Sequence, residues 1–326
     1  MPVIQAAGAL LDQILDQTFP VWGEGLSRHG YGQWNRAQEL TAWGRGHLRR
    51  FALVDDSGRL LASAKRYDLT LRVDGKIVPT LGIGAVFTPL SERGRGHAHA
   101  LIAALEEAAR RDGARAALLF SEIGASYYER FGFTTVPVQT MDVEVLRKDG
   151  APAMLVRAGE DRDAANVAAM QVARGESFRL ALVPDETQVI YAVARKRLFV
   201  GLDPGRRRAI EYFVAEEGCQ AVAYVVLYVS RGKAGLTEDW SLESCGDRDP
   251  SGARVGAMLQ VLLARTPSAA PPLIRGWWPT SLRPPQLRLI ERPPAREVMM
   301  LKPLVTDVAM PSLGASDVMY WHGDAF

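Results

Sequence analysis

The stretch Arg93-Gly94-Arg95-Gly96-His97-Ala98 concentrates residues able to do chemistry together. It lies between a segment that reads as a strand ending before Pro89 and an apolar periodicity over Ala98 to Arg111 that reads as a helix. The first amides of a helix have no partner inside it, and the helix dipole is positive there, so such a turn attracts an anion. Side chains at Gly94 and Gly96 would hold phosphate oxygens away from those amides, and the turn calls for residues that tolerate positive φ. Arg93 and Arg95 add charge-assisted donors, and His97 and Ala98 add backbone N–H groups. A pyrophosphate fits this chemistry. A glycine-rich turn alone is commonly a plain loop, so the neighbouring segments must supply the specificity.

Those segments have a consistent order. Phe51 to Val54, Asp55-Asp56-Ser57-Gly58 and Arg59 to Tyr67 read as strand, turn and strand. Asp74-Gly75 marks a second hairpin, and Lys76 to Thr88 continues as strand, which makes an antiparallel meander. After the loop and its helix, Gly113 stops the helix and Ala116 to Phe120 reads as a buried strand. Tyr127 to Arg130 begins a short helix closed by Gly132. Strand, loop, helix and strand form a βαβ crossover. Upstream, Val3, Ala6, Ala7, Leu10, Leu11, Ile14, Leu15 and Phe19 predict an opening amphipathic helix, and Trp34, Leu40 and Trp43 a second.

Pro137 and the charged stretch Arg147 to Pro152 read as a boundary, dividing the 326 residues into 1–146 and 153–326. A second round then follows, with helices near Asp161–Arg174 and Gly252–Leu263 and strands near Ala209–Ala215, Ala221–Val229 and Leu273–Trp278. Ser268 to Pro272 reads as a loop. The expected fold class is α/β (α+β): two similar domains, each a mixed, mostly antiparallel sheet flanked by helices.

Composition narrows the function classes. Hydrophobic residues at 48% and charged residues at 23% describe a globular chain with sizeable cores. With a formal net charge of +2 and no basic run longer than Arg206-Arg207-Arg208, no face for nucleic acid is expected. Two cysteines, Cys219 and Cys245, argue against a disulfide framework or a cysteine-built zinc site. No signal peptide or long apolar span is read, so a cytoplasmic protein without membrane partners is expected.

Around the loop the residues resemble the GNAT acetyltransferases, whose signature Arg-x-x-Gly-x-Ala is met by Arg93, Gly96 and Ala98. Gly84-Ala85-Val86-Phe87-Thr88-Pro89 is similar to the family strand that pairs with the pantetheine arm of the cofactor, and Tyr127-Tyr128-Glu129-Arg130-Phe131-Gly132-Phe133 to the family's Tyr-x-x-x-Gly-Phe ending. The resemblance covers Phe51 to Val138. One departure is that Arg93 stands four residues after Pro89 where the family usually has three, which leaves Val86, Phe87 and Thr88 uncertain by one position.

The resemblance implies acetyl-CoA as cosubstrate, no metal, and direct attack by a primary amine in a ternary complex. It assigns Arg93, Gly94, Arg95, Gly96, His97 and Ala98 to the pyrophosphate, Val86, Phe87, Thr88 and Ser121 to the pantetheine arm, and Tyr128 to proton donation toward the leaving thiolate. A backbone N–H of Val86 or Phe87 would stabilise the thioester oxygen. No carboxylate stands on Leu81 to Val86, so the base is open between Glu122 and the terminal segment. Trp321 to Phe326 is unusually aromatic for a chain end and is expected to dock. In the tandem GNAT layout that this chain resembles, a terminal carboxylate reaches the active site, which nominates Phe326, or else Asp324, as base or amine anchor. His97 and His99 lack a carboxylate partner at ligand spacing and are read as helix-start residues.

In the second half, Glu243 to Pro250 is acidic where the first half has its loop, so no coenzyme is expected there and the domain is read as a wall of the acceptor pocket. Trp240, Trp277 and Trp278 could line that pocket or fill a core. The acceptor, a small-molecule or peptide amine, is not identified by the sequence, and the oligomeric state stays open. Two other readings are a coenzyme-binding regulatory protein without turnover and an aminoacyl transferase of tandem GNAT fold.

Overall fold

A computed structural model describes residues 1–146, 154–231, 238–265, 272–279, 282–293, 297–306 and 311–326. The linker read at 147–152, and residues 268–271 of the loop read at 268–272, lie outside the described residues.

The chain opens with β1 (Val3–Gln5), α1 (Gly8–Trp22), α2 (Arg28–Leu40) and α3 (Ala42–His47). Ser27 and Thr41 start α2 and α3 by accepting the amides of Gly30 and Gly44, each at 3.0 Å. The meander follows as β2 (Leu48–Val54), β3 (Leu60–Val73) and β4 (Lys76–Phe87), and the crossover as α4 (His97–Arg111), β5 (Ala116–Ser121), α5 (Ser126–Glu129) and β6 (Thr134–Thr135). The expected opening helix is shortened at its start. Val3 to Gln5 pair instead with Leu53 to Phe51, because the exposed edge of β2 offers them a ladder that a helix end could not match.

The remaining elements are β7 (Thr140–Val145), β8 (Val156–Ala158), α6 (Ala164–Gly175), β9 (Leu180–Leu182), α7 (Glu186–Gly201), β10 (Arg208–Glu217), β11 (Gln220–Arg231), β12 (Glu238–Asp247), α8 (Ala253–Arg265), β13 (Ile274–Trp277), β14 (Leu287–Glu291), β15 (Val298–Pro303) and β16 (Val318–Met319).

Among the described residues these make two mixed, mostly antiparallel sheets flanked by helices. The first runs β1-β2-β3-β4-β5-β15-β6, with β9 joined to β3 and β16 to β9; the second runs β14-β7-β13-β12-β11-β10-β8. The sheets exchange strands across position 146. The strand β7 lies in the second sheet, while β15 sits between β5 and β6 of the first, its Val298 opposite Ser121 and its Met300 opposite both Leu119 and Thr135.

The core between the first sheet and α4 collects Leu53, Leu61, Leu81, Ile83, Leu101, Ile102, Leu105 and Phe133, with Met300 supplied by β15. The opposite face of that sheet is covered by α1, α2, α3 and the end of the chain. Helix α7 packs on α2, α3, α6 and β10 and so joins the two halves. Trp240 and Trp278 belong to the second core and Trp277 to the shared one, so the buried fate applies to all three. No helix among the described residues is long and apolar enough to cross a membrane.

Candidate active site

The loop from Arg93 to Ala98 has the positive-φ turns that its glycines allow. Gly94 and Gly96 adopt φ of +76° and +80°, and a Cβ on either would meet nothing within 4 Å, so both face open space. Gly96 caps α4 without any side-chain hydrogen bond. Among the described residues the amides of Gly94, Arg95, Gly96, His97 and Ala98 donate to no protein acceptor. The extra residue between Pro89 and Arg93 is absorbed by a single 3₁₀ turn, Leu90–Glu92. That turn buries Glu92, 3% exposed, whose carboxylate receives Arg95 at 3.2 Å and Arg59 at 3.1 Å and lies 3.6 Å from His97. Glu92 thereby braces the loop from below, a role its sequence context did not advertise. Arg93 donates to the carbonyl of Thr88 at 3.3 Å, tying the loop to the strand before it, and His99 stacks on Phe131.

Beside the loop the first sheet splits. The strands β4 and β5 pair in parallel from Thr80–Ala116 to Ile83–Leu119, and the register ends there although both strands continue. On its other side β4 pairs with β3 at Gly84–Lys65 and again at Phe87–Ser63, which leaves Ala85 and Val86 opposite a single residue in a β-bulge. Ala85 carries φ of +48°, a costly value for a residue with a Cβ, and such strain collects at functional sites. Ala85 and Val86 have no register partner on either neighbouring strand. At the bulge Phe87 returns to the ladder and Val86 does not.

A cavity of about 250 Å³ opens at this split, lined among others by Gly84, Ala85, Val86, Ser121, Tyr128 and Phe326. Tyr128, on α5, is 7% exposed, and its hydroxyl has no hydrogen-bond partner among the described residues. Burial, and then the adjacent Tyr127, push the phenol up to about 12, so it holds its proton at neutral pH. Ser121 is buried at the end of β5 and donates to the carbonyl of Gly124 at 2.5 Å.

Phe326 docks against the sheet. Its ring lies 4.4 Å from that of Tyr67 and 5.2 Å from that of Phe120. Gly82 and Gly84 make the room: a Cβ on Gly82 would stand 2.8 Å from the Phe326 ring, and one on Gly84 would stand 3.1 Å from it and 3.3 Å from the Phe326 oxygen. Arg195 of α7 holds the approach by donating to the carbonyls of Gly323 at 3.3 Å and Ala325 at 2.7 Å. Asp324 faces elsewhere, into a separate enclosed space with Lys196, Glu243 and Gln188. Of the two terminal candidates, the structure therefore brings Phe326 and not Asp324 to Tyr128's cavity.

The cavity continues into a mouth of about 600 Å³ rimmed by Glu24, Glu122 and Glu297, with Lys196 and His322 beside them. Burial raises the carboxyls of Glu24 and Glu297 above the ordinary range. Glu122 is exposed. Glu24 and Glu297 escaped the sequence reading because each comes from a segment distant from the motif.

The corresponding turn in the second half is closed by its own acids. Asp247 accepts the amides of Asp249 at 2.8 Å and Arg254 at 2.9 Å, and Asp249 accepts that of Ser251 at 2.9 Å. A carboxylate of the protein thus occupies the start of α8, where α4 leaves its amides open.

Residues 15–136 match the family model of the acetyltransferase (GNAT) domain. Similar solved structures are a GCN5-related N-acetyltransferase from Anabaena variabilis (TM-score 0.70, 11% identity, covering 93% of this chain and 73% of that one) and a probable N-acyltransferase from Enterococcus faecalis (0.66, 12%, 93% and 72%). N-myristoyltransferase from Saccharomyces cerevisiae, solved with bound myristoyl-CoA, is also similar (0.53, 12%, 92% and 82%). No curated protein sequence matches the chain. Residues 15–136 thus carry a GNAT acetyltransferase domain, and the chain as a whole shares the two-sheet fold of these solved structures.

Proposed function

We propose that this protein moves an acetyl group from acetyl-CoA to a primary amine by direct attack in a ternary complex. The observation that carries this reading is the run of unpartnered amides from Gly94 to Ala98, opening beside the split strands that Tyr128 and Phe326 also border. Arg93, Gly94, Arg95, Gly96, His97 and Ala98 bind the pyrophosphate, and Val86, Phe87, Thr88 and Ser121 hold the pantetheine arm. The half 1–146 binds the coenzyme. The half 153–326 binds none and supplies the acceptor wall.

In the reaction the rim carboxylates Glu24, Glu122 and Glu297 draw in the ammonium form of the acceptor. The base, Glu122 at the rim or the docked segment around Phe326, takes one proton from it. The freed nitrogen attacks the thioester carbonyl carbon, and the Val86 N–H, released from the ladder by the bulge, stabilises the oxyanion. As the C–N bond is completed the C–S bond breaks, the thiolate takes the Tyr128 proton, and the nitrogen sheds its remaining extra proton to solvent. Solvent returns the proton held on the base to Tyr128, so the products are an N-acetylated amine, free CoA and one released proton.

Calorimetric titration with acetyl-CoA is expected to give one site per chain, and thiol release with an amine library to give acetylated product. A stoichiometry of two, or acetyl-CoA binding without transfer to any amine, refutes the assignment.

A further inference from the structure

The inner end of the acceptor cavity carries charge of the opposite sign to its mouth. Arg50 on β2, Lys65 on β3 and Gly84 on β4 are directly paired neighbours across three strands. Adjacent strands lie about 5 Å apart, so Arg50 stands roughly 10 Å from the strand that would present the thioester. Arg50 and Lys65 are 2% and 6% exposed, and both line the cavity.

Neither cation is ion-paired to a carboxylate among the described residues. Arg50 donates to Asn35 at 2.9 Å through one terminal nitrogen, while Nη1 is buried without a partner. Lys65 donates to Gln38 at 3.2 Å and lies 5.6 Å over the Trp34 ring. Two adjacent buried basic groups, with the Glu39 carboxylate acting on both without an ion-pair contact, cost stability by desolvation and mutual repulsion. Burial, then Arg50, holds the Lys65 ammonium well below its ordinary value, so an arriving anion would stabilise its charged form.

We propose that Arg50 and Lys65 form an anion subsite, so that the acceptor amine also carries a carboxylate or phosphate group a few bonds from the reacting nitrogen. This rests on the acyl-transfer reading of the same cavity. The acidic mouth receives the ammonium end, the basic floor receives the anion, and Trp22, Trp34, Tyr67 and Phe120 enclose an apolar body between them. The substrate class is amphoteric, of about amino-acid size.

The test compares L-phenylalanine, its amide, 2-phenylethylamine and O-phosphoethanolamine, both as calorimetric ligands of the CoA-saturated protein and as acceptors in thiol release. An anion-bearing probe is expected to bind about tenfold to a hundredfold more tightly than its anion-free counterpart, the range for a charge-assisted contact. That ratio collapses in Arg50→Met and Lys65→Met and is largely kept in Arg50→Lys. Tighter binding of O-phosphoethanolamine than of L-phenylalanine supports the subsite with phosphate as its anion. Equal binding of L-phenylalanine and 2-phenylethylamine with no gain for the phosphate probe, or a ratio that survives in Arg50→Met, overturns the inference. Anion-dependent binding without acetyl transfer would support the subsite while refuting the transferase reading.

Discussion

Replacing Tyr128 by Phe isolates proton donation from everything else this residue does. The ring packs edge-on to Tyr127 at 5.0 Å and Phe133 at 6.2 Å, and Phe preserves both contacts. The hydroxyl has no protein partner to orphan, so stability is expected to change by less than about 0.5 kcal/mol and the Kd for acetyl-CoA to stay the same. General acid catalysis contributes roughly a hundredfold or more, so kcat should fall by about that factor, equivalent to ~2.7 kcal/mol of barrier. Because the phenol is pushed up to about 12, the wild-type rate should show no loss from Tyr128 ionisation as pH is raised from 7 to 9. The assay is thiol release at saturating acetyl-CoA, repeated with an acetyl thioester of a more acidic thiol. That leaving group needs no proton, so the deficit of the variant should shrink. A loss in kcat below about threefold, or a deficit equal for both thioesters, would refute proton donation by Tyr128.

Gly96→Ala tests the loop, with Gly113→Ala as its control. Both glycines have positive φ with open space at Cβ, so each substitution costs about 1–2 kcal/mol of backbone strain, but only the Gly96 variant is expected to weaken acetyl-CoA binding in calorimetry. Asp324→Asn tests the enclosed space behind the tail. Burial, offset in part by Lys196 and Arg195, raises the Asp324 carboxyl to about 7, so the folded state retains a proton between pH 4 and 7 that the unfolded state has lost. The associated stability is present at low pH and lost as pH rises through 7; the melting temperature of the Asn variant should therefore gain on wild type between pH 5.5 and 8.5, and a constant difference would contradict the shift.

What the sequence made legible was local. The meander, the loop from Arg93 to Ala98 and the short helix of Tyr128 are each announced by turn residues, glycines and a change of period within a few positions. Helix α7 was not foreseen, because it is enclosed by α2, α3, α6 and β10 and its apolar residues are spread around it rather than confined to one stripe. The cations of the inner cavity were equally hidden. Arg49 and Arg50 precede the strand read from Phe51 and look alike in sequence, yet in β2 alternation leaves Arg49 half-buried and sets Arg50 beneath α2, where Asn35 meets it. Only the fold decides which of two adjacent arginines is buried.

The exchange of strands was beyond sequence reasoning for the same reason, and it bears most directly on function. A strand's own residues report its burial but not its neighbour. Insertion of β15 beside β5 sets Val298 opposite Ser121, and so brings Glu297 to the mouth next to Glu122. The partner strands of β9 and β16 anchor the tail to the edge of the first sheet, from which Arg195 directs it toward Gly84. The first half alone would therefore hold the glycine loop facing an incomplete cavity, without Glu297 and without Phe326. Its core would lack Met300, and its sheet would have an unpaired edge at Leu119. The cavity is a product of the two halves folded into each other, which is why the glycine loop was readable from one short segment and the full lining of the cavity was not.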